Sequence, residues 1–425
     1  MLFRLAASAA CLVFACASPN ARANESFTLD DAFERVIDTH PDLRIYRHTE
    51  TLLIAEADRA ALAPAVVANV QLENAPGTGA LSGVRGAELT LSLSSVLERG
   101  GKREARRALA ASRLDALGLQ RSTRQLDLLA DVARRYLDVV AAQGQAGIAR
   151  DEVAQRERTV QASRQRVAAG ASPTSVALSA EAMLSRARLD LSRAETQAAA
   201  AWRRLAILWR ETDLQVMPRL SAQPLVLPSI PTFSALQTAL RESPDLQRFA
   251  DEARIREARV QLARTTASPD IDWQAGVRRL QGDDAWALVG GVSIPLGSRR
   301  RSDPEIRVAT AELESLALER ESAELALIAT LAQAHGQFTA ARAEVELARS
   351  DVLPRMHRAE AAAERAYRAG ALSYLEWAQL QSETTAARSR QLAAAVDAYR
   401  ALIEIQRLTA EPFVLAERAP TETTP

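Results

Sequence analysis

Four short stretches of this chain alternate apolar and polar residues, and four long stretches do not. Within 64–74, Val66, Ala68, Val70 and Leu72 share one face, opposite Val67, Asn69, Gln71 and Glu73. Within 86–97, Leu89, Leu91 and Leu93 oppose Glu88, Thr90, Ser92 and Ser94. Ile271, Trp273, Ala275 and Val277 repeat the pattern in 269–280, as do Trp286, Leu288, Val292 and Ile294 in 284–296. A period of two predicts strands with one apolar and one polar face. The segments 102–169, 173–212, 304–369 and 372–410 instead place apolar residues three and four apart, as at Leu114, Leu117, Leu128, Val132, Tyr136 and Val139. That spacing predicts helices. The first contains no proline, and at 1.5 Å per residue it would span on the order of 100 Å. A helix of that length cannot belong to a compact globule and must lie in a bundle or coiled coil. Pro354 removes a backbone donor and should kink or divide the third helix.

The layout occurs twice. "HPDLR" at His40–Arg44 answers to "SPDLQ" at Ser243–Gln247, and "LSLSSVLERGGKR" answers to "VSIPLGSRRR". "RVAAGASPTS" from Arg166 answers to "RAYRAGALSY" from Arg365, which sets Gly170 against Gly370. Two repeats, 24–215 and 233–411, are therefore expected, joined by the Pro-rich stretch 216–232. Each reads helix, strand, strand, very long helix, turn, long helix. Pro41 and Pro244 stand where helices tolerate proline, near a start. The tail 412–425 is expected to be disordered.

Strands of about ten residues with one apolar and one strongly polar face suit a membrane β-barrel with a wet lumen. A small soluble sheet with one solvated face is the alternative. Four strands cannot close a barrel, and lipid does not tolerate an open sheet edge. If the strands enter a membrane, several subunits must pool them. The strand-to-helix joints Gly100-Gly101-Lys102-Arg103 and Gly297-Ser298-Arg299-Arg300 would then lie at the membrane rim. Glycine relaxes the backbone at the bend, and the cations face head groups, water or acidic neighbours.

The N-terminus adds a compartment. Arg4, an apolar run from Leu5 to Ala17 and Ala21-Arg22-Ala23 form an export signal over 1–23. Val13-Phe14-Ala15-Cys16 is an alternative lipid-attachment box, which would acylate Cys16. Cys11 and Cys16 are the only cysteines, so neither outcome leaves a free thiol or a disulfide framework. No later apolar stretch reaches the roughly 20 residues that a transmembrane helix needs.

Composition excludes more than it assigns. The chain has 425 residues, with 53 basic balancing 53 acidic side chains, and this neutrality argues against nucleic acid as a partner. His40, His48, His335 and His357 pair with no second ligand at helical spacing, and Met183, Met217 and Met356 are scattered. No metal site, cofactor site or catalytic motif is predicted. A non-enzymatic conduit fits that absence.

At "ENAPGTG", "LERGGKR" and "YRAGALSYLE" (Tyr367–Glu376) the chain resembles the TolC-like outer-membrane efflux proteins, in particular their heavy-metal (CzcC-like) branch. The resemblance covers about Phe27 to Pro412. It implies a homotrimer whose subunits each give four strands to one 12-stranded barrel, with long helices forming an α-barrel across the periplasm of a Gram-negative cell. It also implies a periplasmic adaptor protein and an inner-membrane pump of the resistance-nodulation-division (RND) class. The exported ions would be cobalt, zinc and cadmium, or copper and silver. Arg166, Gly170, Ser172, Tyr367, Gly370 and Ser373 match the family's adaptor-docking hairpin tips. Glu376 takes the place of a carboxylate that lines the family's periplasmic constriction. Gln379 replaces a second one, and Glu181 on the paired helix is a further candidate. A drug-efflux or secretion duct is an alternative, and so is a periplasmic coiled-coil adaptor or scaffold that never enters the membrane.

Overall fold

A computed structural model describes residues 27–212, 217–218 and 220–415. The export signal, Cys16 and residues 416–425 lie outside the described residues, as does Val216 at the start of the linker. The first half contains helices α1 (Leu29–Thr39) and α2 (Pro41–Ala61), strands β1 (Val67–Glu73) and β2 (Glu88–Leu97), then α3 (Lys102–Ala168) and α4 (Thr174–Ala206). The second contains α5 (Phe233–Arg241), α6 (Pro244–Thr265), β3 (Ile271–Leu280), β4 (Ala285–Ser293), α7 (Ser298–Leu347), α8 (Leu353–Ala369) and α9 (Tyr374–Thr409).

Local chemistry sets the helix starts. Thr28 caps α1, its hydroxyl accepting from the Asp31 amide at 3.1 Å while the Asp31 carboxylate accepts from the Thr28 amide at 2.8 Å. Two orphan donors are satisfied reciprocally. Pro41 and Pro244 open α2 and α6, where their missing N–H costs nothing.

The four strands form one antiparallel sheet in the order β1-β2-β3-β4. One rung runs Val70–Leu91–Val277–Leu288, and the next runs Gln71–Thr90–Arg278–Ala287. Apolar rungs thus alternate with polar ones across the sheet. Gly276 is required by close approach, since a Cβ there would fall 2.4 Å from the Leu91 carbonyl oxygen. Below the sheet, α2, α3, α6 and α7 lie side by side in the same order as the strands they adjoin. The largest core sits further down, where Tyr136, Leu137, Trp202, Leu205, Leu240, Leu331, Phe338 and Tyr399 are all buried. Phe27 packs edge-on against Trp202 at 5.3 Å, and its carbonyl accepts from the Tyr136 hydroxyl at 2.9 Å.

Two expectations about boundaries, the start of the third long helix and the tail, need correction. The third long helix begins at Ser298 rather than Pro304, because Gly297, at φ 80°, turns the chain into the helix four residues after β4 ends; Pro304 falls inside α7. At Pro354 the helix is divided, as its missing donor requires: a π-helical turn, Ala348–Val352, ends α7 ahead of it, and Pro354 takes the second position of α8, whose N–H needs no helical acceptor. The tail is ordered further than composition suggests. Phe413 and Leu415 are buried in the main core, with Phe413 6.0 Å from Phe33. An aromatic and a leucine that find a cleft gain more from burial than the chain loses by being ordered.

Candidate channel wall, rim and tips

The sheet is inside out relative to a soluble protein. Val70 is 72% exposed and Leu288 88%, whereas Thr90 is 2% exposed and Ser92 7%. The polar face is a bonded network. Arg278 donates to Glu88 at 2.8 Å and to Thr90 at 2.9 Å, and pairs with Glu73 at 3.2 Å. Gln274 donates to Ser92 at 2.8 Å, and Asn69 to Ser94 at 3.0 Å. A contiguous bare apolar face opposite a satisfied polar face is the arrangement of a wall between lipid and water. Both edges, β1 and β4, carry unpaired backbone groups within this single chain.

The rim joints are held by charge and glycine. Gly100 and Gly101 take φ 76° and 77°, and Gly297 takes 80°. A Cβ on Gly100 would meet Ser268 at 2.5 Å, so that position needs glycine twice over; a Cβ on Gly101 would meet nothing. Lys102 pairs with Asp270 at 2.7 Å, and the Arg99 amide donates to the same carboxylate at 3.1 Å. Burial pushes the Asp270 carboxyl up, but these two donors bring it below its ordinary range. Arg106 donates to Glu98 at 2.8 Å and holds that carboxyl low as well. Lys102 therefore faces an acidic neighbour rather than open water. Arg103 lies near Glu104 at 3.7 Å, and Arg299 and Arg300 are exposed.

At the opposite end the two hairpin tips interlock. Gly170 (φ 71°) and Gly370 (φ 83°) each close a helix with a Schellman motif. Ala171 donates to the Arg166 carbonyl and Gly170 to that of Val167; Ala371 donates to Ala366 and Gly370 to Tyr367. Arg166, from the first tip, donates to Ser172 at 3.1 Å and to the Tyr367 carbonyl of the second tip. Its guanidinium also lies 5.0 Å from the centre of the buried Tyr367 ring. Tyr367 stacks on Trp377 at 4.9 Å and reaches Ser163 at 3.3 Å. Of the residues matched to docking tips, Arg166, Tyr367 and Ser172 thus make one structural cluster.

The gate candidates are not brought together within one chain. Glu376 and Ser373 form a capping box at the start of α9: the carboxylate accepts from the Ser373 amide at 3.0 Å and from its hydroxyl at 2.7 Å. Those bonds hold the Glu376 carboxyl below its ordinary range. Gln379 donates to Glu383 at 3.0 Å, and Glu181 pairs with Arg164 at 2.6 Å. Among the described residues no group of three or more His, Cys, Asp or Glu side chains could hold a metal ion, and no helix is long and apolar enough to cross a membrane.

The sequence profile of the outer membrane efflux proteins matches residues 36–209 and 235–411. The chain belongs to the outer membrane efflux protein family. It is 27% identical to the cobalt-zinc-cadmium resistance protein CzcC of Cupriavidus metallidurans over 319 residues, 75% of this chain and 76% of that one. Its fold is similar to that of CusC, with a TM-score of 0.74, 16% identity, and coverage of 90% of this chain and 91% of that one. The outer membrane protein VceC of Vibrio cholerae gives a TM-score of 0.72 at 15% identity, covering 91% and 97%. The outer-membrane channel OprN gives 0.72 at 20%, covering 97% and 99%.

As an efflux-family channel the protein is a transport duct and not an enzyme. Sequence reading missed the Glu73–Arg278–Glu88 bridge, which joins three strands, because strand register is not legible from one strand at a time. It also missed the capping role of Glu376, although Ser-x-x-Glu at 373–376 is the signature of a capping box.

Proposed function

We propose that this channel is the outer-membrane exit duct of a tripartite efflux system that exports heavy-metal cations. The observation that carries the membrane part is the sheet, with its apolar face bare, its polar face bonded and both edges open. Lipid forbids such edges, so three copies would pool their strands into one 12-stranded barrel, with the helices extending into the periplasm of a Gram-negative cell. The helical tips would meet a periplasmic adaptor, which couples the duct to an inner-membrane RND pump. Likeness to CzcC supports divalent metal cations as cargo. A conduit needs no tight site for that cargo, because it must pass ions on rather than retain them. Glu376, exposed near the second tip, is the candidate for a cation-attracting ring at the narrow end, with its charge maintained by the capping bonds.

Deleting the gene tests the cargo. Growth in cobalt, zinc, cadmium and copper salts should fail at several-fold lower concentrations than in the parent strain, and the intact gene should restore tolerance. Unchanged tolerance to all four metals contradicts the metal assignment.

A further inference from the structure

The two strand-to-helix joints differ in where their cations go. At the first, Asp270 binds Lys102 and Glu98 binds Arg106, so each of these charges is answered within the chain. At the second, Arg299, Arg300 and Arg301 stand in a row at the start of α7, exposed, and none makes an ion pair with a described residue. Arg307, also exposed and unpaired, follows two turns later. Two acids share the segment without relieving it. Glu305 accepts from Thr266 at 3.5 Å, and Asp303 pairs with no described cation. Four arginines against two acids leave 299–307 with an excess of two positive charges.

The chain just ahead of these arginines is bare and apolar. Val292 is 70% exposed, Ile294 45% and Leu296 85%. They prolong the apolar face of the sheet toward the helices. That face carries a tryptophan near each end: Trp286 by the β3–β4 turn, and Trp273, which pairs with Val292, by the helices. From Trp286 to Val292 is six residues, roughly 20 Å at 3.4 Å per residue. Membrane barrels show an apolar band of about 25 Å between two aromatic girdles, so the tryptophans mark the edges of such a band. The arginines come a few residues beyond its lower edge, where lipid head groups lie.

We infer that Arg299, Arg300 and Arg301 bind the phosphate of an anionic glycerophospholipid in the leaflet nearer the helices, with Ile294 and Leu296 against its acyl chains. Guanidinium groups take phosphate through paired N–H bonds, and basic clusters beside a bilayer are attracted by anionic lipid. The occupant is a lipid because cations and apolar side chains adjoin at head-group height. A free phosphate would meet the arginines and leave Leu296 in water. This site rests on the membrane reading proposed above and adds an asymmetry to it: the second joint holds lipid, whereas the first is closed by its own carboxylates.

Native mass spectrometry of the full chain, released from outer membranes in detergent, tests it. The particle is mixed with phosphatidylglycerol or with phosphatidylcholine of the same acyl chains, and the lipids retained are counted. The unmodified protein should keep several-fold more phosphatidylglycerol, and excess inorganic phosphate should not displace it. Arg299→Gln/Arg300→Gln/Arg301→Gln should lose that preference. Arg349→Gln/Arg355→Gln/Arg368→Gln, which removes as much charge from exposed arginines far along the helices, should retain it. Displacement by inorganic phosphate, or an equal loss in the distant variant, overturns the lipid site. So does an unmodified oligomer with no preference between the lipids, the result expected if acidic side chains of a neighbouring copy cover the arginines; the duct then still stands. Should the glutamine variant not assemble, the two lipids on the unmodified protein still decide. A monomer that needs no detergent overturns the membrane reading and the site together.

Discussion

Ser373 and Glu376 show how one residue pair fixes the start of a helix. The Glu376 carboxylate lies at the first turn of α9 and accepts two hydrogen bonds from Ser373. Because these bonds depress its pKa in the folded chain, the stability they lend is present above the ordinary carboxylate value and is lost as pH falls through the depressed one. Ser373→Ala removes the hydroxyl that caps the helix and should cost about 1 kcal/mol of local stability. Hydrogen exchange at the first amides of α9 should quicken several-fold in that variant, and in the parent protein on acidification. Exchange unchanged in both cases would show that the cap does not hold the tip. Arg166 binds the second tip to the first in a comparable way, through the Tyr367 carbonyl and ring.

At the scale of elements, the joints decide how strands become helices. Gly100 and Gly101 share a left-handed conformation but differ in surroundings, and that difference is measurable. Alanine at either position carries strain of about 1–2 kcal/mol. Only at position 100 would it also collide with Ser268. The temperature at which the assembled protein dissociates should therefore fall further for Gly100→Ala than for Gly101→Ala; equal falls would contradict the close approach. The elements were also where the sequence was most legible. Alternation in Leu89–Leu93 identified a two-faced strand because a period of two has no helical counterpart. Spacings of three and four over α3 identified a helix for the same reason. Less was legible where tertiary packing overrides local pattern. Phe413 and Leu415 sit in a polar-looking tail, and only the core cleft explains their burial. The partners of Glu181 and Arg278 lie on other elements, beyond the reach of any one segment's pattern.

For the whole molecule, the polar face of the sheet is finished and the apolar face is not. Glu73, Arg278, Glu88 and Thr90 satisfy one another, while the side chains of Val70, Trp286 and Leu288 are each more than half exposed. Leu52 of α2 and Leu318 of α7, each more than half exposed, repeat that incompleteness in the helical layer. On the function proposed above, the protein reaches its working form only when copies meet in a bilayer. The most direct test is to count chains in the particle that detergent releases from the outer membrane, by light scattering with the detergent's mass subtracted. Three chains per particle is the result predicted; a single chain, recovered in buffer without detergent, would contradict the shared pore.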